Sequence, residues 1–315
     1  MGESTVKESM PSSAPRSRDG GMLSMVGTPI GNLGDLSARA AETFRAADLI
    51  CCEDTRVTSK LLAHLGISKP LMRCDDNVIE RRAPELIDRI LAGERIAFAS
   101  DAGMPSVSDP GQVLVEAARR EGAPVEVIPG PSACVTALVL SGIPSDQFFF
   151  EGFLPRKHGE RVRRLQRLTA VPGALIFYES PHRAEASLKA IAEVFPQRMV
   201  ALCRELTKLH EEVLRAPACE LYERLVERGD LKGEMVIVVA PPTEEELQSL
   251  QTVCISGAGA GTCDPEELLR ADIAEALVAG ESANALSKRL AQKYSRKKRD
   301  VYNMVLHLQD QASER

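Results

Sequence analysis

The stretch Arg95-Ile96-Ala97-Phe98-Ala99-Ser100-Asp101-Ala102-Gly103-Met104-Pro105-Ser106-Val107-Ser108-Asp109-Pro110-Gly111 runs from an almost wholly apolar segment into twelve small, polar or turn-forming residues. An apolar run without polar alternation reads as a strand buried on both faces. A helical pattern follows at 110–121. The unit recurs on either side: Met22–Val26, Asp48–Cys52 and Val125–Ile128 read as strands, with helices near 36–46, 55–65, 78–92 and 132–141. Such alternation predicts an α/β fold with a mainly parallel sheet covered on both faces. In sheets of that kind ligands bind beyond the carboxyl ends of the strands, so the loops there are where chemistry is sought.

Past Gly142 the pattern starts afresh. Gln147–Gly152, Ala174–Tyr178, Arg198–Cys203 and Glu234–Ala240 read as strands, with helices near 158–168, 182–194 and 217–227. The predicted organisation is a disordered tail at 1–20, a first α/β domain at 21–142 and a second at 143–241. A linker at 242–264, containing the Gly/Ala-rich Ser256–Thr262, precedes a helical unit at 265–315. Helices are expected there at Glu266–Val278, Ala283–Tyr294 and Arg296–Leu308, with Ser282 and Ser295 as N-caps, a helix-turn-helix-like bundle.

The chain has 315 residues, 44% of them apolar, enough for two cores. No apolar run nears the roughly 18 residues of a membrane span. Met22–Ile30 is broken by Gly27 and Pro29 and does not read as a secretory segment. A cytoplasmic protein is expected, its eight cysteines as buried free thiols. Cys51 and Cys52 are adjacent, no C-x-x-C occurs and the histidines are scattered, so no metal is expected. The net charge of −6 is uneven: residues 156–167 carry +5 and residues 288–299 carry +7. Two basic islands on an acidic body suggest a local contact with a polyanion.

Four loops of the first domain carry chemistry-bearing residues. Gly27-Thr28-Pro29-Ile30-Gly31-Asn32-Leu33-Gly34 lacks the G-x-G-x-x-G spacing of a nicotinamide site. Glu53-Asp54-Thr55-Arg56 places two carboxylates and a guanidinium at a strand end. In Ser100–Gly111, small residues allow a ligand close to the backbone, and Asp101 is suited to accept from ribose hydroxyls or to favour a cation. In Pro129-Gly130-Pro131-Ser132-Ala133, Ser132 stands where a helix begins. The second domain adds Phe177-Tyr178-Glu179-Ser180-Pro181-His182-Arg183, Arg204-Glu205-Leu206-Thr207-Lys208 and Gly233-Glu234-Met235.

With Glu151–Pro155, these segments together resemble the ribosomal-RNA 2′-O-ribose methyltransferase branch of the tetrapyrrole methylase family, over about residues 22–240 and in the family's order. The resemblance implies a two-domain tetrapyrrole methylase-like fold, with the helical C-terminal appendage of that branch. It implies S-adenosyl-L-methionine bound between the domains and a cytidine ribose 2′-hydroxyl of 16S rRNA, naked or in the assembled small subunit, as acceptor. By analogy Pro29, Asp101, Gly103, Met104, Val107, Ser132, Ala133, Tyr178, Leu206 and Met235 contact the cofactor; where members often have Thr, this chain has Met104. A homodimer is also implied.

Methyl transfer from a sulfonium is an in-line displacement that needs positioning, and a ribose hydroxyl gains from a base. Glu53, Asp54, His182 and Glu205 are the candidates, with Asp54 and Arg56 favoured as the catalytic pair. Asn32, Glu53, Arg183 and Lys208 are expected on the substrate side, and Arg163, Arg164, Lys297 and Lys298 against RNA phosphates. Two rivals share the scaffold: a C-methyltransferase acting on a tetrapyrrole, and a non-catalytic ribosome-assembly factor. The first needs no basic islands, and the second predicts decayed cofactor loops.

Overall fold

A computed structural model of the chain describes residues 20–107, 109–229, 231–247, 269–270, 272–273, 276, 283–294 and 296–313. The chain divides into two compact units, Met1–Pro241 and Pro242–Arg315. The N-terminal tail, Ser108, the Ser256–Thr262 stretch and the two caps Ser282 and Ser295 lie outside the described residues.

The first unit holds two five-stranded sheets. Strands β1 (Met22–Val26), β2 (Leu49–Cys52), β3 (Leu71–Arg73), β4 (Arg95–Ala99) and β5 (Val125–Ile128) form the first, in the order β3-β2-β4-β1-β5. All its pairings are parallel. Helices α1 (Ala38–Ala46), α2 (Thr55–His64), α3 (Ile79–Leu91) and α4 (Gln112–Arg120) connect the strands. Two apolar layers pack on opposite faces, one around Phe98, Leu86 and Ile90, the other around Phe44, Ile50 and Leu62. Helix α3 shows why: its buried residues Ile79, Ala83, Leu86, Ile87 and Ile90 recur at helical spacing. Phe98 is fully buried, and truncating such a ring to alanine costs about 3–5 kcal/mol.

Strands β6 (Phe148–Phe153), β7 (Ala174–Glu179), β8 (Met199–Arg204), β9 (Glu212–Pro217) and β10 (Met235–Val239) form the second sheet, in the order β6-β7-β10-β8-β9. It is mixed: β6 and β7 run parallel, and the other pairings are antiparallel. Helices α6 (His158–Arg167), α7 (Pro181–Val194) and α8 (Ala218–Arg228) cover one face. Helix α5 (Ala133–Ser141) follows β5 of the first sheet yet packs on the second. Cys134 and Ala137 of α5, together with Ile30, share a core with Ile176, Ala201, Cys203 and Val236. That shared core joins the two lobes into one unit.

Two strands were not foreseen. β3 has three residues behind Pro70, too few to show a period. β9 is an edge strand whose Glu212 and Arg215 interrupt any apolar signal. The linker expectation is also altered at its start, where residues 244–247 are helical. Glu246 N–H donates to Thr243 Oγ1 (3.1 Å) and Thr243 N–H to Glu246 Oε2 (2.9 Å), a capping box.

In the second unit the described residues include α9 (Ala283–Lys293) and α10 (Lys298–Ser313). Leu286, Leu290, Val301 and Val305 pack with Leu269 and Ile273 in a small core.

Candidate active site

Three loops meet where the strands of the first sheet end. Thr28 and Gly103 exchange backbone hydrogen bonds, N–H of each to O of the other, at 2.9 and 3.2 Å. Gly130 N–H donates to Met104 Sδ at 3.2 Å. A Cβ on Gly27 would lie 2.6 Å from Gly130 N and 2.8 Å from Met104 Sδ, so glycine is required there. Met104 thus ties its loop to the Pro129–Ala133 turn through sulfur.

A fourth loop is latched to these. Asp54 N–H donates to Asp101 Oδ1 (3.1 Å), and Asp101 N–H to Glu53 Oε2 (3.4 Å). Each carboxylate therefore fixes the other's loop, and one oxygen of Asp101 is already engaged. Burial pushes both Glu53 and Asp101 above the usual carboxyl range.

Beyond these loops lies a cavity of about 200 Å³. From the first lobe Ile30, Gly103, Met104, Val107, Asp109, Ser132 and Ala133 line it; from the second, Phe153, Tyr178, Glu179, Leu206, Glu234 and Met235. Eight residues expected from the sequence face it: Gly103, Met104, Val107, Ser132, Ala133, Tyr178, Leu206 and Met235. Pro29 and Asp101 stand one residue from lining positions, behind Ile30 and Ala102. Sequence reasoning did not single out Ile30, Ala102, Asp109, Phe153, Glu179, Glu234 or Val236 as lining residues. Asp109 lay within the loop singled out, but only the fold shows which of its acids reaches the cleft.

The lining has distinct parts. Ile30, Leu206, Met235 and Val236 form apolar walls. Tyr178 meets Phe150 and Phe153 edge-on, with ring centroids 4.8 and 5.9 Å away. Gly103 has φ +88° and Ile30 3.2 Å from any added Cβ, which keeps the backbone bare. Ser132 makes no capping bond to α5; its hydroxyl lies 3.2 Å from Cys134 Sγ. No side chain caps the first turn of α5, where the Cys134 N–H meets the Tyr178 oxygen. Burial, with the charges of Glu53 and Asp101, pushes the Asp109 carboxyl up to about 7.

Several expected site residues have other duties. Asp54 caps α2 and is held by Arg56 through both carboxylate oxygens, with Nη2 2.5 Å from Oδ2. That hydrogen bonding lowers its carboxyl to about 2, which disfavours it among the base candidates and leaves it suited to positioning with Arg56. Glu205 is likewise lowered by Lys208. His182 is exposed in the first turn of α7. Asn32 accepts from Gly34 N–H, capping a 3-10 turn.

The cations expected to meet RNA divide in two. Arg164 pairs with Glu151 through two bonds of 2.6 Å. Arg183 pairs with Glu179 at 3.2 Å and donates to the Leu154 carbonyl. Lys208 lies 2.9 Å from both Glu205 and Glu234. These three are therefore paired with acids of the chain itself. Arg163 and Lys297 are exposed, whereas Lys298 donates to Asn284 Oδ1 at 2.7 Å. Among the described residues no group of three or more His, Cys, Asp or Glu is arranged to hold a metal ion, and no helix is long and apolar enough to cross a membrane.

Residues 22–222 match the family model described as Tetrapyrrole (Corrin/Porphyrin) Methylases. A protein of Xylella fastidiosa named ribosomal RNA small subunit methyltransferase I is 45% identical over 232 residues, covering 73% of this chain and 85% of its own. One of Mesorhizobium japonicum with the same name is 39% identical over 293 residues, 93% of this chain and 94% of its own. A third so named, from Thermotoga maritima, is 43% identical over 220 residues, 70% of this chain and 98% of its own. Among solved structures, diphthine synthase superposes with a TM-score of 0.55 at 15% identity over 72% of this chain and 93% of that one. A uroporphyrin-III C-methyl transferase from Thermus thermophilus, complexed with S-adenyl homocysteine, gives 0.51 at 18% over 73% and 100%. At such identities these two bear on the fold alone.

Proposed function

The chain belongs to the tetrapyrrole methylase family, and from that premise we propose that it is an S-adenosyl-L-methionine-dependent methyltransferase of small-subunit ribosomal RNA, acting on a cytidine ribose 2′-hydroxyl of 16S rRNA. The observation that carries this reading is that relatives named for that RNA align along nearly the whole chain, beyond the methylase segment.

The cavity fits the cofactor. Apolar walls at Ile30, Leu206, Met235 and Val236 suit an adenine ring, and the bare backbone at Gly103 lets a ribose approach closely. The start of α5, which no side chain caps, suits a carboxylate. The acids Glu53 and Asp101, latched to each other behind the lining, favour a sulfonium. When bound, the cofactor supplies an activated methyl group. What remains for the protein is to align the acceptor oxygen, exclude water and take the proton.

RNA reaches the cleft across α6 and the turn before it, where Arg156, Arg163 and Arg167 are exposed, with the C-terminal unit as a second phosphate-binding surface. A second copy of this chain covers the outer side of α5. That helix is apolar all round; one side packs on the second sheet while Val135, Val139 and Leu140 remain exposed. Sedimentation equilibrium is expected to give twice the chain mass, and a monomer at micromolar concentration refutes the homodimer.

The decisive experiment offers labelled cofactor to naked rRNA, isolated small subunits and a tetrapyrrole in parallel, followed by mapping of the modified nucleotide. Label on a ribose of 16S rRNA is expected. Label in the tetrapyrrole alone overturns the reading in favour of C-methylation; label in none, despite cofactor binding, favours a non-catalytic assembly factor.

A further inference from the structure

Three carboxylates line the cleft, and two are already engaged. Glu179 has a fully buried side chain that accepts from Ser180 N–H (3.0 Å) and Ser187 Oγ (2.5 Å), beside Arg183. Glu234 pairs with Lys208. Asp109 differs: the charges around it are acidic. They are Glu53 beyond β2, Asp76 beyond β3 and Asp101 in its own loop, and the Tyr178 phenol faces it from β7. A half-buried carboxylate among other acids is unfavourable for folding.

The loop that carries it is also strained. Ser106, a non-glycine residue, has φ +70°. The Ser106 N–H to Pro110 carbonyl bond folds the loop back with Asp109 at its turn. Strain and an unfavourable buried charge concentrated at one cleft position are marks of a functional group.

We propose that Asp109 is the proton acceptor for the hydroxyl that becomes methylated, an inference that rests on the methyltransferase reading above. The acceptor O–H bond breaks and its proton passes to the Asp109 carboxylate as the O–CH3 bond forms. The S–CH3 bond breaks with its electron pair going to sulfur, which turns the sulfonium into a neutral thioether. A carboxyl at about 7 is matched to proton transfer near neutral pH. Below that value it is protonated and cannot accept; above it, it can. With Glu53, Asp76 and Asp101 as its charged neighbours, kcat/KM should rise with pH through about 7 and then level.

The test compares wild type, Asp109→Asn and Asp109→Glu on small-subunit RNA, measuring kcat/KM from about pH 6 to 9 and cofactor affinity by calorimetry. Asp109→Asn should lose roughly 10²–10⁴-fold in rate and lose the rise near 7, while binding cofactor as wild type does. Asp109→Glu should recover part of the rate with a displaced inflection. A normal rate for Asp109→Asn overturns the proposal. So does a rate loss that tracks lost cofactor affinity, which would make Asp109 a binding group. A wild-type protein that binds cofactor but methylates no RNA overturns the functional reading itself, and this inference with it.

Discussion

At the scale of single residues, the cleft depends on glycines that let loops touch. A Cβ on Gly31 would lie 2.6 Å from Lys208 Cγ, 2.8 Å from Thr207 Oγ1 and 2.9 Å from the Leu206 carbonyl. Leu206 lines the cavity, so Gly31→Ala should push the second-lobe wall outward. Overpacking of this kind costs about 1–3 kcal/mol, and each 1.4 kcal/mol that reaches the binding equilibrium weakens it tenfold. Calorimetry with the cofactor should show affinity reduced about tenfold, with the circular dichroism of the fold unchanged; wild-type affinity would contradict this. Asp54→Asn is expected to behave in the opposite way. Asparagine caps a helix as aspartate does, and a carboxyl held at about 2 takes no part in proton transfer at neutral pH. Methyl-transfer assays should find its rate close to wild type, and a hundredfold loss would restore Asp54 to the chemistry. The sequence disclosed which loops matter because their residue types are unusual at strand ends. It did not disclose which acid is free, since Asp54, Glu205 and Asp109 differ only in the partners folding brings them.

At the scale of elements, the strands legible in the sequence carry a clear apolar run, whether buried like β4, where every residue from Ile96 to Ala99 is buried, or at a sheet edge like β5 and β6. The edge strands β3 and β9 escaped because β3 has only three residues and Glu212 and Arg215 break up the apolar run of β9. The same limit applies to the basic island. Its charge was evident, but α6 turns Arg161 inward to the carbonyls of Pro155, Arg156 and Ala186 and binds Arg164 to Glu151. Only its exposed cations remain for phosphates. Replacing Arg156, Arg163 and Arg167 together by alanine should therefore weaken RNA binding and lower the slope of log K against log salt by roughly 0.7–0.9 per lost contact. Filter binding across a salt series measures it. Arg164→Ala should instead lower thermal stability, and an unaltered slope in the triple variant would clear α6 of RNA contact.

At the scale of the whole molecule, the two units do not carry equal shares of the chemistry. Every residue lining the cavity lies before Pro241, and the core built by α5 and Ile30 closes that unit on itself. The Thermotoga relative aligns over 98% of its length with only 70% of this chain, so it has little length to spare for a counterpart of the C-terminal unit. The second unit has its own small core around Leu286, Leu290 and Val301 and holds the basic stretch 288–299. Deleting 242–315 should then leave a folded protein that binds the cofactor with wild-type affinity. RNA binding should fall and lose part of its salt dependence, because the phosphate contacts of that stretch go with it. Differential scanning calorimetry and cofactor titration of the truncated chain check the first part, and RNA titration at two salt concentrations checks the second. A truncated chain that unfolds, or that binds RNA as tightly as the full chain, would show that the appendage braces the methylase unit and does not serve as an RNA handle.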